Sequence, residues 1–222
     1  MLTDLSISAL YLATFHCHVT YVNTDLLFGR ILDDVYQQGY AVIEGAMTAS
    51  LTEQLYRTAT KQLSAFSPAA IGRNNELQRN TDIRTDKTLW FSGTCTSERD
   101  YLGIMEALRK QINRHFFLGL FDYECHFAYY KPGDFYKKHY DAFKGRSNRV
   151  MTTVLYLNSP TEGGELIIYK PRTKIVAQRV TPKAGTLVVF ESERFMHEVL
   201  PAQEARFSIA GWFRKNTSIA GV

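Results

Sequence analysis

From residue 122 to 215 the sequence repeats one texture, and that texture limits the fold more than anything else in the chain. Short β-rich runs alternate with turn residues: YECHFAYY, RVMTTVLYLN, GELIIYK, KIVAQRV, GTLVVF, MHEVL and RFSIAGWF. Strands this short, at this spacing and without helical periodicity between them, indicate an antiparallel sandwich or barrel. The preceding part reads differently. Residues 24–39 carry apolar side chains at helical spacing and end at Gly39, and YAVIEG follows as a short strand. Ser50 and Glu53 have capping-box spacing, which predicts a helix over about 51–66. Residues 67–82 are polar, carry Pro and Gly, and predict a mobile loop; IRTDKTLWFSG predicts extended chain, and a long amphipathic helix is expected over about 97–118. The expected organisation is one unit over 23–222, with a helical layer (about 23–120) packed on a β-core (about 121–215).

Bulk composition removes several functional classes. Lys and Arg exceed Asp and Glu by 26 to 22, too small an excess to argue for nucleic acid by itself. Cys17, Cys95 and Cys125 match no zinc or CxxC spacing, and their odd number fits a reducing cytoplasm better than a disulfide framework. Residues 1–22 contain His16, Cys17 and His18 but no basic start and no apolar run of about twenty residues, so neither a signal peptide nor a membrane span is expected. They read as an N-terminal extension of little order.

Within this frame one stretch carries chemistry. In FYKKHYDAF an extended chain would project His139 and Asp141 from the same face. Two imidazoles and one carboxylate with open positions are the ligand set of non-haem Fe(II) oxygenases, so the pair demands a second histidine. His197, 58 positions further on in MHEVL, can be brought in by a rolled sheet. His115, in the long helix, and His126, in a strand, are read as packing or surface residues. Alternation in RFSIAGWF then places Arg206, Ser208, Ala210 and Trp212 on one face, with only small side chains between the arginine and the tryptophan. An inward guanidinium wants a carboxylate, no acidic partner is obvious in the chain, and a ligand carboxylate can take its place. Tyr156, sharing a face with Val154 and Thr152, is placed to bond the same carboxylate. A structural Arg–Glu pair beside an ordinary core tyrosine explains Arg206 and Tyr156 taken alone.

At this point the chain resembles a known family. YKPGDFYKKHYD matches the Tyr-x-x-Gly-x-x-Tyr-x-x-His-x-Asp signature of 2-oxoglutarate/Fe(II) dioxygenases of the prolyl 4-hydroxylase group. The spacing from His197 to Arg206 and the runs GGELIIY and AGTLVVF fit as well. IRTDKTLW resembles a segment of the hypoxia-inducible-factor prolyl hydroxylases, and LGLFDYECHFAYYKPGDFY and HEVLPA resemble their bacterial relatives. The resemblance covers most of 40–215. It implies a mainly β fold, a double-stranded β-helix (jelly-roll) core on supporting helices. It makes His139, Asp141 and His197 the metal ligands, Arg206 with Tyr156 the anchor of 2-oxoglutarate, and Tyr130 and Tyr136 part of the cosubstrate pocket. Arg84 and Asp86 become a mobile finger over the substrate, with Trp212 a further substrate contact. Ala210 departs from the pattern, since animal relatives carry a hydroxylated residue there.

The implied cofactors are Fe(II), 2-oxoglutarate, O2 and ascorbate as reductant. The implied activity is hydroxylation of a loop proline in a protein, in the bacterial branch a translation factor such as elongation factor Tu, by a cytoplasmic monomer with no membrane partner. Two alternatives stay open. One is the same chemistry on another side chain, a free amino acid or a nucleic acid, for which Lys170, Arg172, Lys174, Arg179 and Lys183, with no acidic residue from 166 to 190, offer a conceivable path, though such charges are more often solvated strand faces. The other is a non-catalytic sensor of metal and 2-oxoglutarate.

Overall fold

A computed structural model describes residues 24–69, 80–142 and 147–216. The expected extension over 1–22 and most of the expected mobile loop lie outside them. Three α-helices form an outer layer. α1 (Thr24–Gln38) buries Leu27, Phe28, Ile31 and Val35 along one stripe and stops at Gly39, whose φ of 86° is open to glycine at little cost. α2 (Ala49–Lys61) starts two residues earlier than the capping-box reading and ends sooner. Its cap is Thr48, whose hydroxyl accepts from the Leu51 N–H at 3.2 Å, while Ser50 instead lies inside the first turn and bonds Gln54. A 3-10 turn (Leu63–Ala65) follows. α3 (Thr96–Phe116) buries Tyr101, Met105, Leu108 and Ile112 at helical spacing.

Among the described residues eleven strands build two antiparallel sheets. The larger has the order β1 (Tyr40–Ile43), β9 (Leu187–Glu191), β6 (Arg149–Tyr156), β11 (Arg206–Lys215), β4 (Leu120–Tyr130), β3 (Lys87–Trp90) and β2 (Ser67–Pro68). The smaller has the order β5 (Tyr136–His139), β10 (His197–Val199), β7 (Leu166–Tyr169) and β8 (Val176–Val180). The predicted loop at 67–82 therefore begins as a short strand.

Alternation divides the core into two. Phe127, Leu155, Leu187, Val189, Phe207, Ile209 and Phe213 point from the large sheet into the helices. Ala128, Tyr130, Val154, Tyr156, Val188 and Phe190 point the other way and pack on Leu166, Ile168, Val180 and Val199 of the small sheet. A sheet buried on both faces needs near-continuous apolar strands, which is why RVMTTVLYLN and GTLVVF carry few charges. The polar exceptions on the second face are the residues that build the cavity between the sheets.

Candidate active site

β10 is the hinge of the geometry. It lies between β5 and β7, and its first residue, His197, is the direct cross-strand partner of His139, the last residue of β5. Asp141 does not share a strand with His139 as the spacing predicts. β5 ends at His139, and Asp141 sits in the bend beyond it, where its Oδ2 accepts from the Thr152 hydroxyl of β6 at 2.8 Å. The carboxylate is shorter than the imidazole, so the backbone turns to bring it to the same point.

The three side chains converge. His139 Nε2 lies 3.4 Å from Asp141 Oδ1, His197 Nε2 lies 3.6 Å from Asp141 Oδ2, and one ligand atom from each residue falls within 4.8 Å of the others. Each imidazole turns its other nitrogen to a carbonyl two residues earlier: Nδ1 of His139 to Lys137 O at 2.7 Å, Nδ1 of His197 to Phe195 O at 3.1 Å. A carbonyl only accepts, so both Nδ1 atoms carry the proton and both Nε2 lone pairs face the shared point. Burial pushes His197 down to about 4, and His139 adds to this against the pull of Asp141, so the ring is neutral near pH 7. Burial alone would raise the Asp141 carboxyl, but His197 and His139 more than offset it and hold it well below the usual carboxylate range. Two imidazole nitrogens and one carboxylate oxygen fit a divalent transition metal, and facial N,N,O ligation leaves positions open to other ligands.

Arg206, Ser208, Ala210 and Trp212 all face the same cavity, of about 520 Å3, as alternation along β11 predicts. Arg206 is 1% exposed, and no carboxylate among the described residues lies within 4 Å of it. Its Nε and Nη1 are buried without a hydrogen-bond partner, as is the hydroxyl of Tyr156. The guanidinium rests between the rings of Tyr130 and Tyr156, at 4.7 and 4.9 Å. A buried cation with unused donors beside an unused hydroxyl fits a ligand carboxylate. Arg206 and the N,N,O cluster border one cavity, with Tyr156 against the guanidinium, so the site fits a metal ion and an oxo-diacid together. Gly164 allows this approach: a Cβ there would stand 3.1 Å from Arg206 Cδ, and its φ is 75°.

Tyr130 and Tyr136 line the cavity, whereas Tyr156 supports Arg206 from behind the wall. Arg84 and Asp86 also reach the wall, but they are bound to each other by two hydrogen bonds, at 2.7 and 2.6 Å, and Asp86 is 1% exposed. Sequence reasoning gave no role to four other lining residues. His126 is buried with its ring edge-on to Trp90 at 5.0 Å and tilted against Trp212 at 5.4 Å. Burial, with the charge of Arg84 second, pushes its pKa down to about 4. Arg149 lies over the Trp212 ring at 3.5 Å, and Trp90 is 52% exposed at the rim. Thr152 steadies Asp141. Position was a signal for two of them: His126 shares a strand face with Tyr130, and Thr152 pairs with Trp212 across the sheet, but register between distant strands is not written in the sequence.

Comparison with known proteins agrees with this geometry. Residues 125–214 match the 2OG-Fe(II) oxygenase superfamily. A Pseudomonas putida prolyl-4-hydroxylase structure is 36% identical with a TM-score of 0.76, covering 86% of this chain and 99% of that one. A Trichoplax adhaerens prolyl hydroxylase, solved with a hypoxia-inducible factor oxygen degradation domain peptide fragment, is 25% identical with a TM-score of 0.72, over 86% of this chain and 90% of that one. The hypoxia-inducible factor prolyl hydroxylase of Caenorhabditis elegans is 26% identical over 83% of this chain. The chain spans 28 to 42% of the length of the curated relatives it matches. No helix among the described residues is long and apolar enough to cross a membrane. With a jelly-roll core and a His-Asp-His cluster, the chain belongs to the 2OG-Fe(II) oxygenase superfamily and is homologous to the prolyl hydroxylases within it.

Proposed function

We propose that this chain is an Fe(II)- and 2-oxoglutarate-dependent dioxygenase that hydroxylates a prolyl residue of a protein substrate, releasing succinate and CO2. The observation that carries the reading is the buried Arg206, with Nε and Nη1 lacking partners, in the cavity that also holds His139, Asp141 and His197. Ferrous iron and 2-oxoglutarate, when bound, supply O2 activation coupled to decarboxylation. The chain's own residues do the rest. His139, Asp141 and His197 hold the metal through Nε2, a carboxylate oxygen and Nε2. Arg206, completed by the Tyr156 hydroxyl, fixes the distal carboxylate of the cosubstrate, and Val154, Leu166 and Val199 keep that end of the cavity dry. Tyr130 and Tyr136 flank the cosubstrate, and ascorbate would serve as the reductant.

Trp90, His126 and Trp212 form an aromatic wall on the open side, suited to the apolar ring of a prolyl residue. Arg84 and Asp86 border the same opening. The likeness to the Trichoplax enzyme, solved with a peptide fragment, supports a protein substrate. The likeness of 118–136 to bacterial prolyl hydroxylases makes a translation factor such as elongation factor Tu the first candidate. A nucleic-acid substrate is disfavoured, because Arg179 and Lys183 of the basic path are engaged by Glu165 at 3.1 Å and Glu44 at 2.6 Å. The unit acting is the single domain over 23–222, as a cytoplasmic monomer.

The test incubates cell extract or purified elongation factor Tu with the chain, Fe2+, 2-oxoglutarate and labelled O2, and maps the label by peptide mass spectrometry. One labelled oxygen on a proline, dependent on both additions, is expected. Label on other residues or on nucleic acid rejects prolyl hydroxylation, and 2-oxoglutarate that is bound but never decarboxylated favours the sensor.

A further inference from the structure

The two metal-ligand histidines are held in different ways. His197 is fixed by the core: its side chain is 5% exposed, it lies in the middle strand of the small sheet, and Phe190 packs edge-on to it at 4.8 Å. His139 has no such support. It is the last residue of an edge strand, its side chain is 14% exposed, and the chain bends immediately after it. Within the cluster it meets Asp141 and the tilted ring of His197, centroids 4.2 Å apart, and its Nδ1 bonds Lys137 O.

The remaining support comes from a stack. The Tyr136 ring lies flat on the His139 ring, with centroids 3.5 Å apart and planes 13° from parallel. The Arg84 guanidinium covers Tyr136, with its Cζ 4.1 Å from the ring centroid. Asp86 holds that guanidinium by its fork, and Asp86 is itself buried. The backbone repeats the arrangement: Lys137 N–H bonds Ile83 O at 2.8 Å, Thr85 N–H bonds Phe135 O at 3.1 Å, and Phe135 N–H bonds the Thr85 hydroxyl at 3.0 Å. Residues 83–85 thus cover the open edge of β5, and their side chains press the plate onto the ligand.

We infer that Arg84, locked by Asp86, is a positioning residue that acts through Tyr136 to aim the Nε2 of His139 at the metal. The guanidinium is planar, so a face-on contact transmits position, and the bidentate partner removes its freedom to slide. A ligand imidazole steadied by its surroundings binds metal more tightly because less ordering remains to be done on binding. The role differs from contacting substrate: it operates with no substrate present. It rests on the metal assignment proposed above.

The test titrates Co2+ alone, by calorimetry, into the metal-stripped full-length chain, with melting temperatures recorded for every variant. Arg84→Gln on its own leaves Asp86 buried and unpaired, so Arg84 is replaced together with Asp86→Asn, which keeps neutral partners of similar shape. Both this double variant and Tyr136→Leu are expected to bind Co2+ about tenfold more weakly than wild type. Tyr136→Phe keeps the plate and binds as wild type does. Adding Tyr136→Leu to the double variant causes no further loss, since both act through one stack.

Wild-type Co2+ affinity in either the double variant or Tyr136→Leu overturns the inference, and so do additive losses. A loss in Tyr136→Phe equal to that in Tyr136→Leu also overturns it, by assigning the effect to the hydroxyl. If the double variant does not fold, the contrast between Tyr136→Leu and Tyr136→Phe decides. A wild-type chain that takes up no Co2+ sinks the metal assignment and this inference together, whereas wild-type uptake with unchanged variants sinks the inference alone.

Discussion

Replacing Arg206 by Met separates an anchor for a ligand from a strut of the fold, because the two roles move stability in opposite directions. Met keeps most of the length and the apolar stem but removes the charge. In the free protein the guanidinium is buried, has no carboxylate beside it, and leaves Nε and Nη1 without partners. Two aromatic faces at 4.7 and 4.9 Å return about 0.5–2 kcal/mol each, against several kcal/mol for burying the cation. The ligand-free Met variant should therefore be more stable, by about 1–4 kcal/mol, and melt higher by about 2–4 °C for each of those.

With 2-oxoglutarate the ranking changes. A buried carboxylate left without its arginine costs about 3–5 kcal/mol, which weakens binding roughly 10²- to 4 × 10³-fold. At a concentration 100 times the wild-type Kd, the ligand stabilises wild type by about 2.7 kcal/mol and the variant by about 0.4 or less. Thermal melts in the presence of Co2+, with and without 2-oxoglutarate, read both effects in one experiment. A variant that melts lower than wild type without ligand, and gains as much as wild type with it, would refute the anchor and return Arg206 to the core.

Two further outcomes follow from other parts of the molecule. His126 has a folded-state pKa of about 4 against 6.5 unfolded, so between those values the unfolded chain binds more protons and stability falls as pH is lowered. Its contribution is complete above about pH 6.5 and smaller by about 3 kcal/mol at pH 4; in urea titrations across that window, His126→Phe should lose that much less stability than wild type, and parallel curves would show that the ring is not buried neutral. At Gly211, an added Cβ would lie 2.1 Å from the Tyr123 hydroxyl, which joins Tyr101 at 2.9 Å and Thr153 at 2.7 Å behind the sheet. Gly211→Ala should cost about 2–5 kcal/mol in the same titrations, from overpacking plus stranded hydroxyls, and a loss under 1 kcal/mol would mean that Tyr123 has room to move.

Much of this architecture is legible in the residues, for identifiable reasons. β11 reads correctly because RFSIAGWF alternates between Phe207, Ile209 and Phe213 toward the helices and Arg206, Ser208, Ala210 and Trp212 toward the cavity. α1 reads correctly because its apolar stripe and stop glycine agree. The start of α2 was misplaced because Thr48 and Ser50 both carry a capping hydroxyl, and only the tertiary path of the chain selects Thr48. Asp141 was assigned to a strand because His-x-Asp spacing cannot reveal a bend imposed by a distant partner, Thr152. His126 passed as a packing residue because a histidine on a strand announces nothing until its neighbours are known. Trp90 and Trp212, which give its position meaning, lie 36 residues before it and 86 after it. The Arg84 stack is hidden for the same reason: Arg84 and Tyr136 meet through a bridge between segments about fifty residues apart.

The placement of β11 has a consequence for biosynthesis. The last strand among the described residues is not an edge but the spine of the large sheet, inserted between β6 and β4, and it carries the guanidinium. A ribosome-bound chain still lacking residues 206–215 has its two half-sheets unjoined and its cation absent, however complete the ligand histidines are. The wall that carries Arg206 is thus completed last, and the cavity gains its anchor only when that final strand is inserted between the two half-sheets.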